Sequence, residues 1–149
     1  MVRNFNANDI NEMRILAGLF ASEASVHSQL GISIDGFLGG VYATLDDDRS
    51  IVKVYEDEIT GELLGFLIGR VSLLSYLTNP VFSEEFIFVK QAARSQGIAQ
   101  MLVTSALVDA EAKGAVAAFF ASNTGIVGAD SLLSGMSFTQ LGSTYVKIL

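Results

Sequence analysis

The sequence predicts a mixed α/β fold. Three observations carry that prediction. Apolar residues recur at helical spacing after Asp9 and again between Gly97 and Lys113, β-rich apolar runs fill the middle of the chain, and Gly, Asn and Pro punctuate the junctions. At 149 residues, half of them hydrophobic, the chain suits one domain spanning residues 1–149 with a sizeable core. No repeat, low-complexity tract or Pro/Ser-rich linker divides it.

A short first strand is expected around Val2 to Asn6. Asp9-Ile10-Asn11-Glu12 then has capping-box form, and Ile10, Met13, Ala17, Phe20 and Ala24 follow at about 3.6-residue spacing, so that face of the first helix should be core. Gly31 to Thr44 is glycine-rich and weakly periodic, which predicts a loop or a short helix of limited stability. Ile51 to Tyr55 and Leu63 to Ile68 read as a hairpin across the polar Glu56 to Glu62 connection. A strand from Glu84 to Val89 follows Asn79-Pro80, then a turn and a helix from about Gly97 to Lys113, stopped by Gly114. Ala115 to Ser122 should be another buried strand. A weaker helix around Ala129 to Ser134 and a hairpin of Ser137 to Leu141 with Tyr145 to Leu149 complete the order.

Composition removes several function classes. Cysteine is absent, so disulfides, thiolate nucleophiles and cysteine-ligated metals are excluded, and lone His27 has no ligand-spaced neighbours for a metal site. His27, near the end of the first helix, reads as an exposed or capping residue. A formal charge of −7 without a basic run opposes nucleic-acid binding. The apolar window from Leu63 to Phe82 contains Arg70, two glycines and Asn79-Pro80, which fits two buried strands and a turn better than a membrane span. The first residues lack the apolar core of a signal peptide, so a cytoplasmic location is expected.

The richest segment is Arg94-Ser95-Gln96-Gly97-Ile98-Ala99, between the strand Phe86-Ile87-Phe88-Val89 and a helix. The first N–H groups of a helix have no partner inside it and carry the positive end of its dipole, so an anion can satisfy them. Gly97 removes a β-carbon where a pyrophosphate would approach the backbone, and Ala99 keeps the next turn slim. With Glu85 and Val89 before the turn and Ala112-Lys113-Gly114 closing the helix, the segment resembles the GCN5-related N-acetyltransferases (GNAT), whose Arg/Gln-x-x-Gly-x-Gly/Ala motif cradles the pyrophosphate of acetyl-coenzyme A. The order of elements matches that family across nearly the whole chain. The resemblance implies a mostly antiparallel sheet of six to seven strands flanked by about four helices. Two central strands, here Glu84 to Val89 and Ala115 to Ser122, would splay around the pantetheine arm.

The resemblance also implies roles. Phe88 and Val89 would meet the pantetheine through main-chain groups, Arg94 would contact a phosphate or lie along the turn, and the N–H groups of Ser95, Gln96, Gly97, Ile98 and Ala99 would carry cofactor binding. Asn123 resembles an asparagine that often follows the next strand, although Thr124 to Gly128 lengthen its spacing to Phe138. Glu85, four residues before Val89, stands where several members place the general base that deprotonates the amine. Strict alternation would put Glu85 with Ile87 and Val89 on one face, and a carboxylate among apolar side chains becomes a better base at neutral pH. One departure concerns the acid that returns a proton to the thiolate: Leu133 stands at the usual tyrosine position and Ser137 replaces a glycine, leaving Ser131, Ser134, Tyr145 or water.

These implications describe an acyl-CoA-dependent N-acyltransferase, an N-acetyltransferase if the donor is acetyl-CoA, that moves the acyl group from acetyl-CoA or another acyl-CoA directly, without a metal, to a primary amine of a small molecule or peptide. The missing tyrosine keeps open a catalytically degenerate member acting as a cofactor-binding or interaction module. A different phosphate-binding α/β enzyme is disfavoured, because neither Gly-x-Gly-x-x-Gly nor a P-loop is present. Apolar sheet edges leave a homodimer open.

Overall fold

A computed structural model describes residues 1–121, 128–143 and 145–149. Its frame is one sheet in the order β1 (Val2–Asn4), β2 (Ser50–Glu56), β3 (Leu63–Ser72), β4 (Val81–Val89) and β5 (Ala118–Phe119). The first four strands pair antiparallel, and β5 lies parallel to β4 through the crossover helix α4 (Ile98–Ala112). The remaining helices are α1 (Ile10–Glu23), α2 (Ser25–Leu30), α3 (Ile34–Ala43) and α5 (Ala129–Gly135). The apolar window from Leu63 to Phe82 therefore holds β3 and the start of its antiparallel neighbour β4.

Alternation along the strands builds two cores. Val52, Val54, Phe66, Ile68 and Phe88 pack against Met13, Leu16 and Phe20 of α1 and Leu38 and Val41 of α3. On the other face, Ile51, Leu67, Phe82 and Val89 meet Ile98, Leu102, Val103 and Ala106 of α4. Lys53 points into this second face, where it is buried in an ion pair with Asp109 of α4 at 2.6 Å and donates to Asn4 at 2.7 Å. A buried charge is tolerable there because both a counter-ion and a hydrogen-bond acceptor meet it.

Several expectations change. The capping box lies one turn earlier: Asn6 accepts from the Asn8 N–H, while Asp9 returns to the Asn6 N–H at 2.8 Å and is gripped by the Arg3 guanidinium at 2.7 and 2.8 Å. Of the two readings left open for the glycine-rich segment, the helix forms: α3 has ten residues, and its Ser33 cap accepts from the Gly36 N–H at 3.0 Å. Burial of Leu38 and Val41 against α1 outweighs the low propensity of its glycines.

Among the described residues there are five strands and five α-helices, in place of six to seven strands and about four helices. Of the expected strand from Ala115 to Ser122, whose last residue lies outside the described residues, Ala118–Phe119 forms, and among the described residues it pairs with Phe82 and Ser83. No strand forms in 137–143 or 145–149. Leu141, Tyr145, Val146 and Leu149 are exposed, and a two-residue edge strand offers little to pair with.

Candidate active site

β4 organises the site by failing to pair along its whole length. Beyond Ser83 its outer edge has no strand partner among the described residues, so the sheet opens between β4 and β5. Lys90 donates to the Leu64 carbonyl at 2.8 Å, which fixes the alternation of the β3–β4 ladder. Phe88 and Phe66 are then a hydrogen-bonded pair, whereas the N–H and C=O of Ile87 and Val89 face the open edge. Phe88 thus spends its main chain on β3, and its ring is buried in the first core. Gly65, opposite Val89, makes that ladder possible, since a β-carbon there would lie 2.7 Å from the Phe88 carbonyl oxygen.

The turn after β4 completes this side. Ser95 (φ 65°) and Gly97 (φ 76°) both take left-handed conformations in the turn before α4 begins. No side chain caps the first turn of α4 among the described residues. Phe88, Val89, Ser95, Gly97, Ile98 and Ala99 line one cleft of about 410 Å³, together with Arg94 and Leu132 of α5. Gln96 is exposed on the turn outside the lining, and Asn123 lies outside the described residues. Arg94 is committed elsewhere: its Nε donates to the Val89 carbonyl at 2.9 Å, its Nη2 meets Glu23 of α1 at 2.5 Å, and its guanidinium carbon sits 5.6 Å from the centre of the Phe88 ring. It clamps the turn to β4 and α1.

A β-bulge separates the two glutamates. Ile68 pairs with Phe86 and Gly69 with Glu84, so Glu85 is the extra residue. This explains why Phe82 packs toward α4 while Phe86, four residues on, packs toward α1 and α3. Gly69 is required opposite the bulge, because a β-carbon would meet the Phe82 ring at 2.3 Å and the Ser83 carbonyl at 2.7 Å. The period-two expectation for Glu85 is corrected accordingly: it shares a cleft with Phe86, away from Ile87 and Val89. That second cleft, about 510 Å³, is walled by Phe20, Phe37, Phe86 and the small-residue side of α3.

Glu84, which sequence reasoning passed over, has a different setting. Its Oε2 accepts from the Ala121 N–H at 3.3 Å, next to the end of β5. Burial pushes its carboxyl up to about 7, the Ala121 N–H pulls the other way, and the nearby charge of Glu85 adds to the rise. Glu84 was not legible in the sequence because only the bulge distinguishes it from its neighbour.

His27 also departs from expectation. It is half-buried on the wall of the Glu85 cleft, edge-on to Phe20 with ring centres 6.2 Å apart, and its Nδ1 is buried without a hydrogen-bond partner among the described residues. Leu133 and Ser134 line a third cleft beside residues 136–142, and no tyrosine lines either cleft next to β4 among the described residues. Tyr145 is 91% exposed. Among the described residues there is no cluster of three or more His, Cys, Asp or Glu that could hold a metal, and no helix is long and apolar enough to cross a membrane.

Comparison with known proteins bears on this geometry. The model of the acetyltransferase (GNAT) family matches residues 25–128, well over half of the chain. The chain belongs to the GNAT family. Members of that acetyltransferase family use acetyl-CoA. No curated protein sequence matches it significantly. Solved structures similar in fold include a transcriptional regulator from Bacillus halodurans C-125, 16% identical over 100% of this GNAT chain and 99% of the other, with a TM-score of 0.79. Another is the aminoglycoside antibiotic 6'-N-acetyltransferase AAC(6')-Ig from Acinetobacter haemolyticus, 14% identical over 100% and 97% of the two chains, TM-score 0.75. A third, AAC(6')-Iy in complex with the bisubstrate analogue CoA-S-monomethyl-acetylneamine, is 18% identical over 100% and 97%, TM-score 0.77.

Proposed function

We propose that the protein is an acyl-CoA-dependent N-acyltransferase that transfers an acetyl group from acetyl-CoA directly to a primary amine, with Glu85 as general base. The observation that carries this reading is the dual use of β4. Its open amide edge at Ile87 and Val89 borders the cleft at the α4 N-terminus, and its bulge presents Glu85 to the other cleft. The two points are four residues apart, about 13 Å of strand.

The residues present fit a CoA thioester. Left-handed Gly97 leaves room where a pyrophosphate would meet the backbone, the first N–H groups of α4 supply donors and a favourable dipole, and Ile87 and Val89 offer strand-type hydrogen bonds to an amide-bearing arm. Bound acetyl-CoA supplies an activated acyl carbon and a good leaving group. Glu85 takes the proton of the attacking amine, directly or through water, as the new C–N bond forms and the C–S bond breaks. Water protonates the departing thiolate, because no tyrosine reaches the two clefts among the described residues. The rest of the rate enhancement comes from holding amine and thioester together.

Isothermal titration calorimetry with acetyl-CoA tests the binding half; no binding at millimolar concentration would end the proposal. Glu85→Gln tests the chemical half, with turnover expected to fall about a hundredfold or more and acetyl-CoA affinity nearly unchanged. Unchanged turnover would remove Glu85 from its role.

A further inference from the structure

The cleft in front of Glu85 has a character of its own. Phe20, Phe37 and Phe86 form an aromatic wall, with Phe86 edge-on to both others at centroid separations of 5.5 Å. The helix α3 that carries Phe37 also brings Gly36, Gly40 and Ala43 to the lining, and a β-carbon built on Gly40 meets no heavy atom within 4 Å. Rings and small residues together line a mainly apolar slot.

Its charges are sparse. Among the fifteen lining residues Glu85 is the sole acid and Arg70 the sole Lys or Arg, and Arg70 is paired with Asp47 at 2.8 Å. One carboxylate therefore remains for one ammonium group. A polycation such as a polyamine or an aminoglycoside would press further ammonium groups against phenyl rings without counter-ions, at a desolvation cost. Aromatic rings, in contrast, prefer edge-on and offset neighbours of their own kind.

We propose that the acyl acceptor is a primary amine joined by a short alkyl linker to an aromatic ring, the ring seated against Phe20, Phe37 and Phe86 and the nitrogen at Glu85. The inference rests on the acyl-transfer reading above and narrows it to a substrate class. The linker is short because Phe86 and Glu85 are consecutive, with Cα atoms about 3.8 Å apart. The cleft volume of about 510 Å³ suits a small-molecule acceptor.

The test compares 2-phenylethylamine, spermidine and kanamycin as acceptors for the full chain with acetyl-CoA, by release of free thiol, alongside calorimetry of acetyl-CoA binding. The expected result is a kcat/KM for 2-phenylethylamine at least about tenfold above either polycation. Gly40→Leu fills the slot with a good helix former, so the variant folds and binds acetyl-CoA like the parent while its kcat/KM for 2-phenylethylamine falls at least about tenfold. If acetyl-CoA binds and a polycation is the better acceptor, if none of the three amines is acetylated, or if Gly40→Leu leaves kcat/KM unchanged, the aromatic acceptor is overturned while the acyl-transfer reading stands. Absence of acetyl-CoA binding overturns both.

Discussion

Glu84 and Glu85 are neighbours with the same chemistry, and the bulge sends one toward β5 and the other into a cleft. Their environments predict different consequences of substitution. The Glu84 carboxyl is raised from an ordinary 4.5 to about 7 by burial, so between those pH values the folded chain binds more protons than the unfolded chain and stability falls as pH rises. Below 4.5 both states are protonated and the penalty vanishes; above about 7 it is fully present, at most about 3 kcal/mol. Glu84→Gln removes the ionisation and keeps an acceptor for the Ala121 N–H. It should be more stable than the parent by about 1–3 kcal/mol at pH 8 and indistinguishable from it near pH 4.5, as read by urea unfolding at the two pH values. Equal stability at pH 8 would show that Glu84 ionises there without penalty. None of this was visible in the sequence, where period-two alternation gave each glutamate a face and the extra residue that reassigns them leaves no compositional mark. Arg94 is a similar case: the motif left it either on a phosphate or along the turn, and only the fold reveals Glu23 and the Val89 carbonyl as its partners.

At the level of elements, legibility followed the number of neighbours an element requires. α1, α4, β2 and β3 have strong periodic patterns and clear stops, and the structure places them within a few residues of expectation. α3 was obscured because its three glycines speak against a helix, while the decisive term is the packing of Leu38 and Val41 on a helix twenty residues away. The C-terminal hairpin failed for the opposite reason: its apolar residues look strand-like, but a strand needs an edge to pair with, and β5 supplies only two residues. The bulge depends on one such non-local fit. Gly69 lets the Phe82 ring lie across β3, and Gly69→Ala would place a carbon 2.3 Å from that ring and 2.7 Å from the Ser83 carbonyl, so the bulge or Phe82 must shift. The expected cost is about 1–3 kcal/mol in urea unfolding, with a larger proportional loss in transfer activity than in acetyl-CoA affinity, because Glu85 moves with the bulge. A stable variant with full activity would show that the bulge does not set the position of Glu85.

Across the whole molecule, β4 belongs to both cores: Phe88 packs with α1 and α3, whereas Phe82 and Val89 pack with α4. A ligand bridging the open edge of β4 and the N-terminus of α4 therefore braces the two layers on either side of the sheet, and its binding energy appears as stability of the entire fold. At a concentration 100 times its dissociation constant, acetyl-CoA should add about 2.7 kcal/mol. For 149 residues, where 1 kcal/mol corresponds to about 2–4 °C, the melting temperature should rise by about 5–10 °C. The same experiment on Gly97→Ala separates the turn from the rest of the molecule. An alanine at φ 76° costs about 1–2 kcal/mol without meeting any neighbouring atom, so the unliganded protein should melt a few degrees lower. Its β-carbon also stands where the backbone would meet the pyrophosphate, so the acetyl-CoA-induced rise should shrink well below that of the parent at the same ligand concentration. A parent protein whose melting temperature does not move with millimolar acetyl-CoA would deny the turn its ligand. A Gly97→Ala variant with an undiminished rise would place the pyrophosphate elsewhere on the chain.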